Sequence, residues 1–148
     1  MKQLAIIFLT AIVSTSLNAQ APQVSFDHMA LVVSDLETSI DFYTKTLGFR
    51  KIDDPTGNPS IDWVENEAGQ QIHFLQGDTA EIKFTKSVHL SFNVVALHPF
   101  LTNLQTLKIP FESWEGEAGE VTIRPDGVRQ VYMRDPDGYW IEVNDRSN

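Results

Sequence analysis

The sequence contains no cysteine. This excludes a disulfide framework, a thiolate metal site and a cysteine nucleophile. Positive charge is also scarce, with 11 Lys and Arg residues against 20 Asp and Glu residues and a formal net charge of −9. The basic residues are scattered, whereas a nucleic-acid-binding protein needs them clustered on one face. We therefore predict that the protein has no nucleic-acid partner.

The sequence also lacks an apolar run long enough to cross a bilayer. Its most apolar segment, Leu4 to Val13, follows the positively charged Lys2 and precedes small and polar residues that end in Ala-Gln-Ala at 19–21. A spanning helix needs about 20 apolar residues. The layout is typical of a cleavable secretory signal. We predict that residues 1–19 are a signal peptide and that the mature protein is periplasmic or secreted, with no membrane contact after cleavage.

Residues 24–146 are predicted to form one domain built from two copies of the same unit. Each copy opens with a strand of alternating polar and apolar residues, at 24–33 and at 87–95. A helix and three short strands follow in each copy, and neither copy alone covers its apolar face. The predicted fold class is therefore α+β, with two β-α-β-β-β modules forming a cupped mixed sheet and helices on its outer face.

Local signals predict the bounds of these elements. Ser34 and Glu37 have the spacing of a capping box, and Gly48 is a typical residue to end the first helix. Pro99 is suited to the start of the second helix. The remaining strands are predicted at 49–52, 61–65, 71–76, 111–114, 129–134 and 140–144, with a tight hairpin at Asp137-Gly138 before the last.

Strand alternation gives each module two candidate ligands, one in its first strand and one in its last strand. His28 and His89 lie in the first strands, and His73 and Glu142 in the last strands, all opposite the apolar residues. Imidazole and carboxylate groups are common ligands of divalent metals. We predict that these four residues hold one ion, while a structural, hydrogen-bonded role is the alternative for each histidine alone. His98, at a helix start, is interpreted as a surface or capping residue.

Two segments carry a family resemblance. FDHMALVVSDLETSIDFYTKTLGF at 26–49 resembles the opening motif of the vicinal-oxygen-chelate superfamily, and VYMRDPDGYWIEV at 131–143 resembles its closing motif. The superfamily includes glyoxalases, bleomycin-resistance proteins and dioxygenases. The resemblance covers residues 25 to 144 and implies paired modules around a metal ion. It also implies that His28, His89 and Glu142 occupy standard ligand positions.

The fourth ligand position departs from the family pattern. Glyoxalase I proteins usually carry Glu there, and epimerase relatives carry Gln, where this chain has His73; Gln71 on the same face is the alternative ligand. Three imidazoles and one carboxylate favour Zn, Ni, Co, Fe or Cu over Mg or Ca. Close relatives of glyoxalase I also carry an Arg where this chain has Val32. An exported enzyme meets little glutathione, so typical glutathione-dependent glyoxalase I activity is not expected.

The resemblance implies a metal-dependent lyase or isomerase of glyoxalase or epimerase type, acting on a small substrate that chelates the ion through neighbouring oxygens. Glu142 would be both ligand and base, and Tyr132 would donate a proton to a developing oxyanion. The segment 115–128 is interpreted as a mobile flap over the site, with a plain connecting loop as the alternative. Substrate contacts are predicted for polar and aromatic residues of the same face and of this flap, namely Gln71, Ser91, Asn93, Gln130, Trp63, Trp140, Arg124 and Arg134.

Two other functions remain open from the sequence. A bleomycin-resistance-like protein would bind a small molecule without catalysis, but such relatives generally lack the metal ligands. A metal-capture protein would keep the ligands but would not need Trp63, Trp140 and Tyr132 beside them. Because two-module relatives usually pair, we predict a homodimer. The sequence leaves open whether the site lies within one chain or is shared by two.

Overall fold

A computed structural model describes residues 23–147, and the predicted signal peptide at 1–19 lies outside them. The α+β fold of two β-α-β-β-β modules is confirmed, and the second module carries one additional short strand. The first module contains β1 (His28–Val33), α1 (Leu36–Leu47), β2 (Arg50–Ile52), β3 (Ile61–Glu65) and β4 (Gln71–Gln76). The second contains β5 (His89–Asn93), α2 (Leu97–Leu107), β6 (Phe111–Glu112), β7 (Thr122–Ile123), β8 (Arg129–Arg134) and β9 (Trp140–Asn144).

The two modules repeat the same strand order in two separate sheets. The first sheet has the order β1-β4-β3-β2, and the second has the order β5-β9-β8-β6, with β7 beside β8. β1 runs parallel to β4, and β5 runs parallel to β9. Within residues 23–147, β1 and β5 are edge strands that pair on one side only. The single cupped sheet predicted from the sequence is therefore, within one chain, two sheets with open edges.

The observed helix ends show which of the predicted capping residues start and end each helix. Asp35, not Ser34, caps α1, because its carboxylate accepts a hydrogen bond from the backbone N–H of Thr38 at 2.8 Å. Gly48 ends the helix in the left-handed conformation, at φ 74°, as predicted. α2 begins two residues before Pro99, which its first turn tolerates. In the part of the chain that the structure describes, no helix is long and apolar enough to span a membrane.

The apolar faces of both sheets and both helices meet in one core. Its fully buried members come from every layer, and each contributes about 1.5–3 kcal/mol by leaving water: Val33, Tyr43, Val64, Phe74, Leu97, Leu104, Val131, Met133, Ile141 and Val143. Because strand residues alternate, the opposite face of each sheet turns away from this core. That face carries the candidate site residues.

The β8–β9 hairpin attaches the second module to the first. The Tyr43 hydroxyl donates to Asp135 at 3.1 Å, and the Ser34 backbone N–H donates to Asp137 at 2.9 Å. The Tyr139 hydroxyl donates to the Val32 carbonyl at 3.0 Å. Burial raises the pKa of Asp135 to about 6, although the Tyr139 N–H and the Tyr43 hydroxyl bind its charged form. The junction therefore contains a buried carboxyl group that titrates near neutral pH.

Candidate metal centre

The strand registers give the predicted ligands equivalent places in the two sheets. His73 lies opposite Ala30 of β1, and Glu142 lies opposite Ser91 of β5. Both pairings fall two residues after the histidine that opens the first strand of the module. The predicted correspondence between His73 and Glu142 therefore holds in three dimensions as well as in the sequence.

His89 and Glu142 form a ligand pair on the second sheet. The Nδ1 atom of His89 lies 2.7 Å from the Lys86 carbonyl oxygen, which only accepts, so Nδ1 carries the proton in the neutral ring. The lone pair of Nε2 then faces the Glu142 carboxylate, with 3.3 Å between Nε2 and Oε2. Two tetrahedral zinc ligands lie about 3.4 Å apart. The pair therefore fits two adjacent positions around one ion.

Three donors hold the Glu142 carboxylate in place. The Tyr132 hydroxyl donates to Oε2 at 2.7 Å, and the Asn144 amide and Ser91 hydroxyl donate to Oε1 at 2.8 Å and 3.1 Å. Burial alone would raise the pKa of Glu142, but these hydrogen bonds outweigh burial and lower it. Glu142 is therefore an oriented anion, which suits a metal ligand better than a general base.

Tyr132 is positioned to orient Glu142. Its hydroxyl accepts from the Gln130 amide at 2.8 Å and gives its one proton to Glu142. Burial and the neighbouring carboxylate raise the pKa of Tyr132 well above its usual value, so the hydroxyl stays neutral. Donation to a substrate oxyanion, the role predicted from the sequence, would require Tyr132 to release Glu142.

The first sheet presents His28 and His73 as a stack. Their ring centroids are 4.0 Å apart with a 15° angle between the planes, and Trp63 stacks on the other side of His73 at 3.7 Å and 4°. His28 Nδ1 binds Asp27 at 2.6 Å, and His73 Nε2 lies 3.0 Å from the Gln71 amide oxygen. Burial and the nearby His28 lower the pKa of His73. The stack therefore places two imidazole rings face to face on the first sheet.

The four predicted ligands thus form two pairs, one on each sheet. Among residues 23–147, no three His, Asp or Glu side chains come close enough together to hold an ion. The chemistry of the donors fits a divalent metal, and the geometry of His89 and Glu142 fits it directly. An ion bound by all four residues requires the two pairs to be brought together from separate sheets.

The other predicted substrate residues have varied positions. Ser91 donates a hydrogen bond to Glu142, and Gln130 donates one to the Tyr132 hydroxyl. Gln71 contacts His73. Asn93 reaches the Arg146 carbonyl at 3.4 Å, and Arg124 pairs with Asp126 at 2.7 Å. Trp140 is only 8% exposed and lies beneath the cationic groups of Lys86 and Arg134. Trp140 therefore packs beneath these side chains and is not the open surface for substrate that the sequence had predicted.

Lys86 and Trp114 were not predicted from the sequence. Lys86 pairs with Glu112 and donates to the carbonyls of Ser113 and Trp114, which holds the start of the predicted flap. The Trp114 ring meets Tyr132 edge-on at 5.5 Å. Strand β7 anchors the middle of the 115–128 segment to β8. Lys86 lies in an irregular segment, and Trp114 lies at the end of the strand predicted at 111–114, which in the structure ends at Glu112.

The resemblance read from the two motifs is matched by comparison with known proteins. A model of the Glyoxalase/Bleomycin resistance protein/Dioxygenase superfamily matches residues 25–96. The resemblance to this superfamily is therefore confirmed over the first module and β5. A structure of a putative glyoxalase family protein from Bacillus anthracis superposes with a TM-score of 0.69 at 22% identity, covering 86% of this chain and 99% of that one. The shared fold therefore extends through the second module.

Two relatives align with most of the chain. The uncharacterized protein YwbC of Bacillus subtilis (strain 168) is 29% identical over 129 residues, covering 81% of this chain and 96% of that protein. Lactoylglutathione lyase of Pseudomonas putida is 25% identical, covering 82% of this chain and 84% of that enzyme. The proteins that resemble this chain thus include an enzyme.

Proposed function

We propose that this protein is a metal-dependent lyase or isomerase that binds a small substrate through two neighbouring oxygens on one divalent ion. The observation that carries the proposal is the His89–Glu142 pair. A neutral imidazole lone pair faces a buried carboxylate at 3.3 Å, and that arrangement is favourable only with a cation or a proton between the two atoms. The three donors on Glu142 keep the carboxylate ionised, so the pair offers one imidazole nitrogen and one anionic oxygen to a divalent ion.

The chain's own residues prepare this position. The Lys86 carbonyl fixes the tautomer of His89, and Tyr132, Asn144 and Ser91 fix the carboxylate of Glu142. Supporting hydrogen bonds of this kind orient metal ligands and tune the site. Zn, Ni, Co, Fe or Cu suits a set of three imidazoles and one carboxylate. When bound, such an ion polarises the substrate oxygens as a Lewis acid.

A homodimer would bring the two ligand pairs together. β1 and β5 have unpaired edges within residues 23–147, and the apolar residues beside the ligands are exposed, with Phe26 at 63%, Met29 at 39% and Val88 at 75%. A cavity of about 280 Å³ lies between these edges and is lined in part by Phe49, Phe92 and His89. We infer that a second copy covers these edges and places its first sheet against this chain's second sheet.

Similarity to the lactoylglutathione lyase of Pseudomonas putida does not imply that this chain acts on a glutathione adduct. Val32 occupies the position where the resemblance expects an Arg. The four-residue ligand set also contains one carboxylate instead of two. These departures support a substrate other than a glutathione adduct.

Export of the protein is part of the same proposal, and it limits the substrates that the site meets. Expression of the full chain with a C-terminal tag, followed by intact-mass measurement, tests it. Loss of residues 1–19 from the periplasmic or secreted fraction is expected. A full-length protein in the cytoplasm would contradict export without touching the metal site.

Metal content tests the proposed centre. Mature protein, His89→Ala, Glu142→Gln and the control His98→Ala would be reconstituted with Zn, Ni, Co and Fe and measured by inductively coupled plasma mass spectrometry. His98 is exposed on α2 and serves as the matched histidine. About one ion per chain is expected in the wild type and the control, with a clear loss in the other two. No metal in the wild type would favour the non-catalytic, bleomycin-resistance-like function.

A further inference from the structure

Arg134 differs from the other cations near the second sheet's site. None of its side-chain N–H groups is hydrogen-bonded or ion-paired to any group among residues 23–147. Lys86, in contrast, has three acceptors for its three protons, in Glu112 and the carbonyls of Ser113 and Trp114. Arg124 pairs with Asp126. Among these three cations, Arg134 is therefore the one whose side-chain donors are free for a ligand.

The guanidinium of Arg134 is oriented before any ligand arrives. It lies 4.2 Å from the ring centroid of Trp140, which is buried and held by the sheet. Stacking on the ring face leaves the in-plane N–H donors directed outward. A side chain that is already ordered loses less entropy when it binds. A planar fork of donors matches a carboxylate with two parallel hydrogen bonds.

The strand register places Arg134 close enough to the metal ligands for one small molecule to contact both. Arg134 lies opposite Trp140, and Trp140 lies opposite His89, so the three side chains share one row and one face. Two strand spacings separate Arg134 from His89, or about 10 Å between their backbones. Tyr132 and Glu142 form the adjacent row. An anion on Arg134 would therefore belong to the same ligand as oxygens bound near His89 and Glu142.

We propose that Arg134 binds a carboxylate of the substrate, at the end remote from the oxygens on the ion. The inference rests on the proposed function and names its substrate class as a small carboxylic acid with a separate pair of neighbouring oxygens. The surrounding protein, with a net charge of −9, repels anions, so such a substrate needs a local cation. One free guanidinium suits a singly charged carboxylate better than a phosphate dianion, which would need further donors.

The test uses 3,4-dihydroxybenzoate and its methyl ester as probes. Both carry the same neighbouring oxygens, but only the acid carries a carboxylate. Because the ester group withdraws more electron density from the ring, the change in the acid-to-ester Kd ratio between wild type and variant isolates the contribution of Arg134. Calorimetric Kd values would be measured on the zinc-loaded mature protein, on Arg134→Gln and on Arg129→Gln. Arg129 is the matched control, since it lies on the same strand but on the opposite face, paired with Asp145.

The expected result is about tenfold tighter binding of the acid than of the ester by the wild type, the size of one charged hydrogen-bonded contact. Arg134→Gln should remove this preference and leave the ester's Kd unchanged, while Arg129→Gln keeps the preference. An acid-to-ester Kd ratio that is the same in Arg134→Gln as in the wild type would overturn the proposal. If neither probe binds the zinc-loaded protein, the proposed metal-chelating function itself fails.

Discussion

His73 and Glu142 occupy the same place in their two sheets and have different chemistry. Each lies opposite a small residue of the first strand, and each faces an aromatic residue of the neighbouring strand: Trp63 lies opposite His73, and Tyr132 lies opposite Glu142. One module thus supplies a neutral nitrogen donor stacked on an indole, and the other supplies an ionised carboxylate held by a phenol. The proposed centre is chemically asymmetric although the fold is repeated.

Tyr132→Phe tests whether the phenol orients Glu142. The change removes one hydroxyl and its hydrogen bonds to Glu142 and Gln130 while keeping the ring. We expect metal affinity to fall by about 10- to 100-fold, the usual effect of losing a group that orients a ligand. Competition with a chromogenic chelator measures the affinity. Unchanged affinity would show that Tyr132 has another role.

His73→Glu tests the origin of metal preference. The substitution would replace a neutral donor with a second carboxylate and reduce the charge of the occupied site. Carboxylates suit Mg and Mn better than imidazoles do, so the preference for Ni or Zn over Mn should weaken. Competitive loading with equal Ni and Mn, followed by metal analysis, gives the ratio. A ratio equal to that of the wild type would mean that His73 does not bind the ion.

Asp135→Asn tests the buried carboxyl group at the module junction. Burial raises its pKa from 3.8 to about 6, so the folded state holds the proton more tightly than the unfolded state. Its contribution to stability is full below pH 3.8 and is lost as the pH rises through about 6. The loss amounts to at most about 3 kcal/mol. The facing groups, Tyr43, Tyr139 and Asp137, supply donors and a like charge, and none is a cation.

Urea unfolding at pH 5 and pH 7.5 measures this effect. The wild type should lose stability between the two values, and Asp135→Asn, which cannot ionise at this position, should lose less. An identical change in the free energy of unfolding for both proteins would assign the pH dependence to other groups.

Phe26→Lys tests the exposed edge beside β1. A charge at this apolar position, which is 63% exposed, should block association with a second copy. We expect a monomer in sedimentation velocity experiments, together with reduced metal content. Ile123→Lys is the matched control, because Ile123 is 71% exposed but lies on β7 in the segment beyond β6. A dimer that persists in Phe26→Lys would place the interface elsewhere.

The sequence predicts the strands that are flanked by turns and paired on both sides better than those at the edges. The bounds of β3, β4, β8 and β9 were predicted as observed, because alternation and turn residues define both ends. β1 and β5 were predicted too long, at 24–33 and 87–95, since alternation continues past the point where an edge strand loses its partner. Ser34 was chosen as the helix cap because it neighbours the true cap, Asp35, and both residue types suit that position.

The separation of the ligands into two pairs could not be predicted from spacing. Parity within each strand correctly places His28, His73, His89 and Glu142 opposite the apolar faces, because this is a local property. Whether two sheets join depends on contacts between residues far apart in the chain. Nothing local to β1 or β5 encodes the choice between joining within one chain and joining across two.

The most direct test of the account is a mixed dimer of two defective chains. One chain carries His28→Ala and His73→Ala, and the other carries His89→Ala and Glu142→Gln; each is purified alone and as the doubly tagged heterodimer. A site shared between chains predicts no metal in either homodimer and about one ion per heterodimer, formed by the intact first module of one chain and the intact second module of the other. A heterodimer without metal, beside a fully loaded wild type, would contradict the shared site.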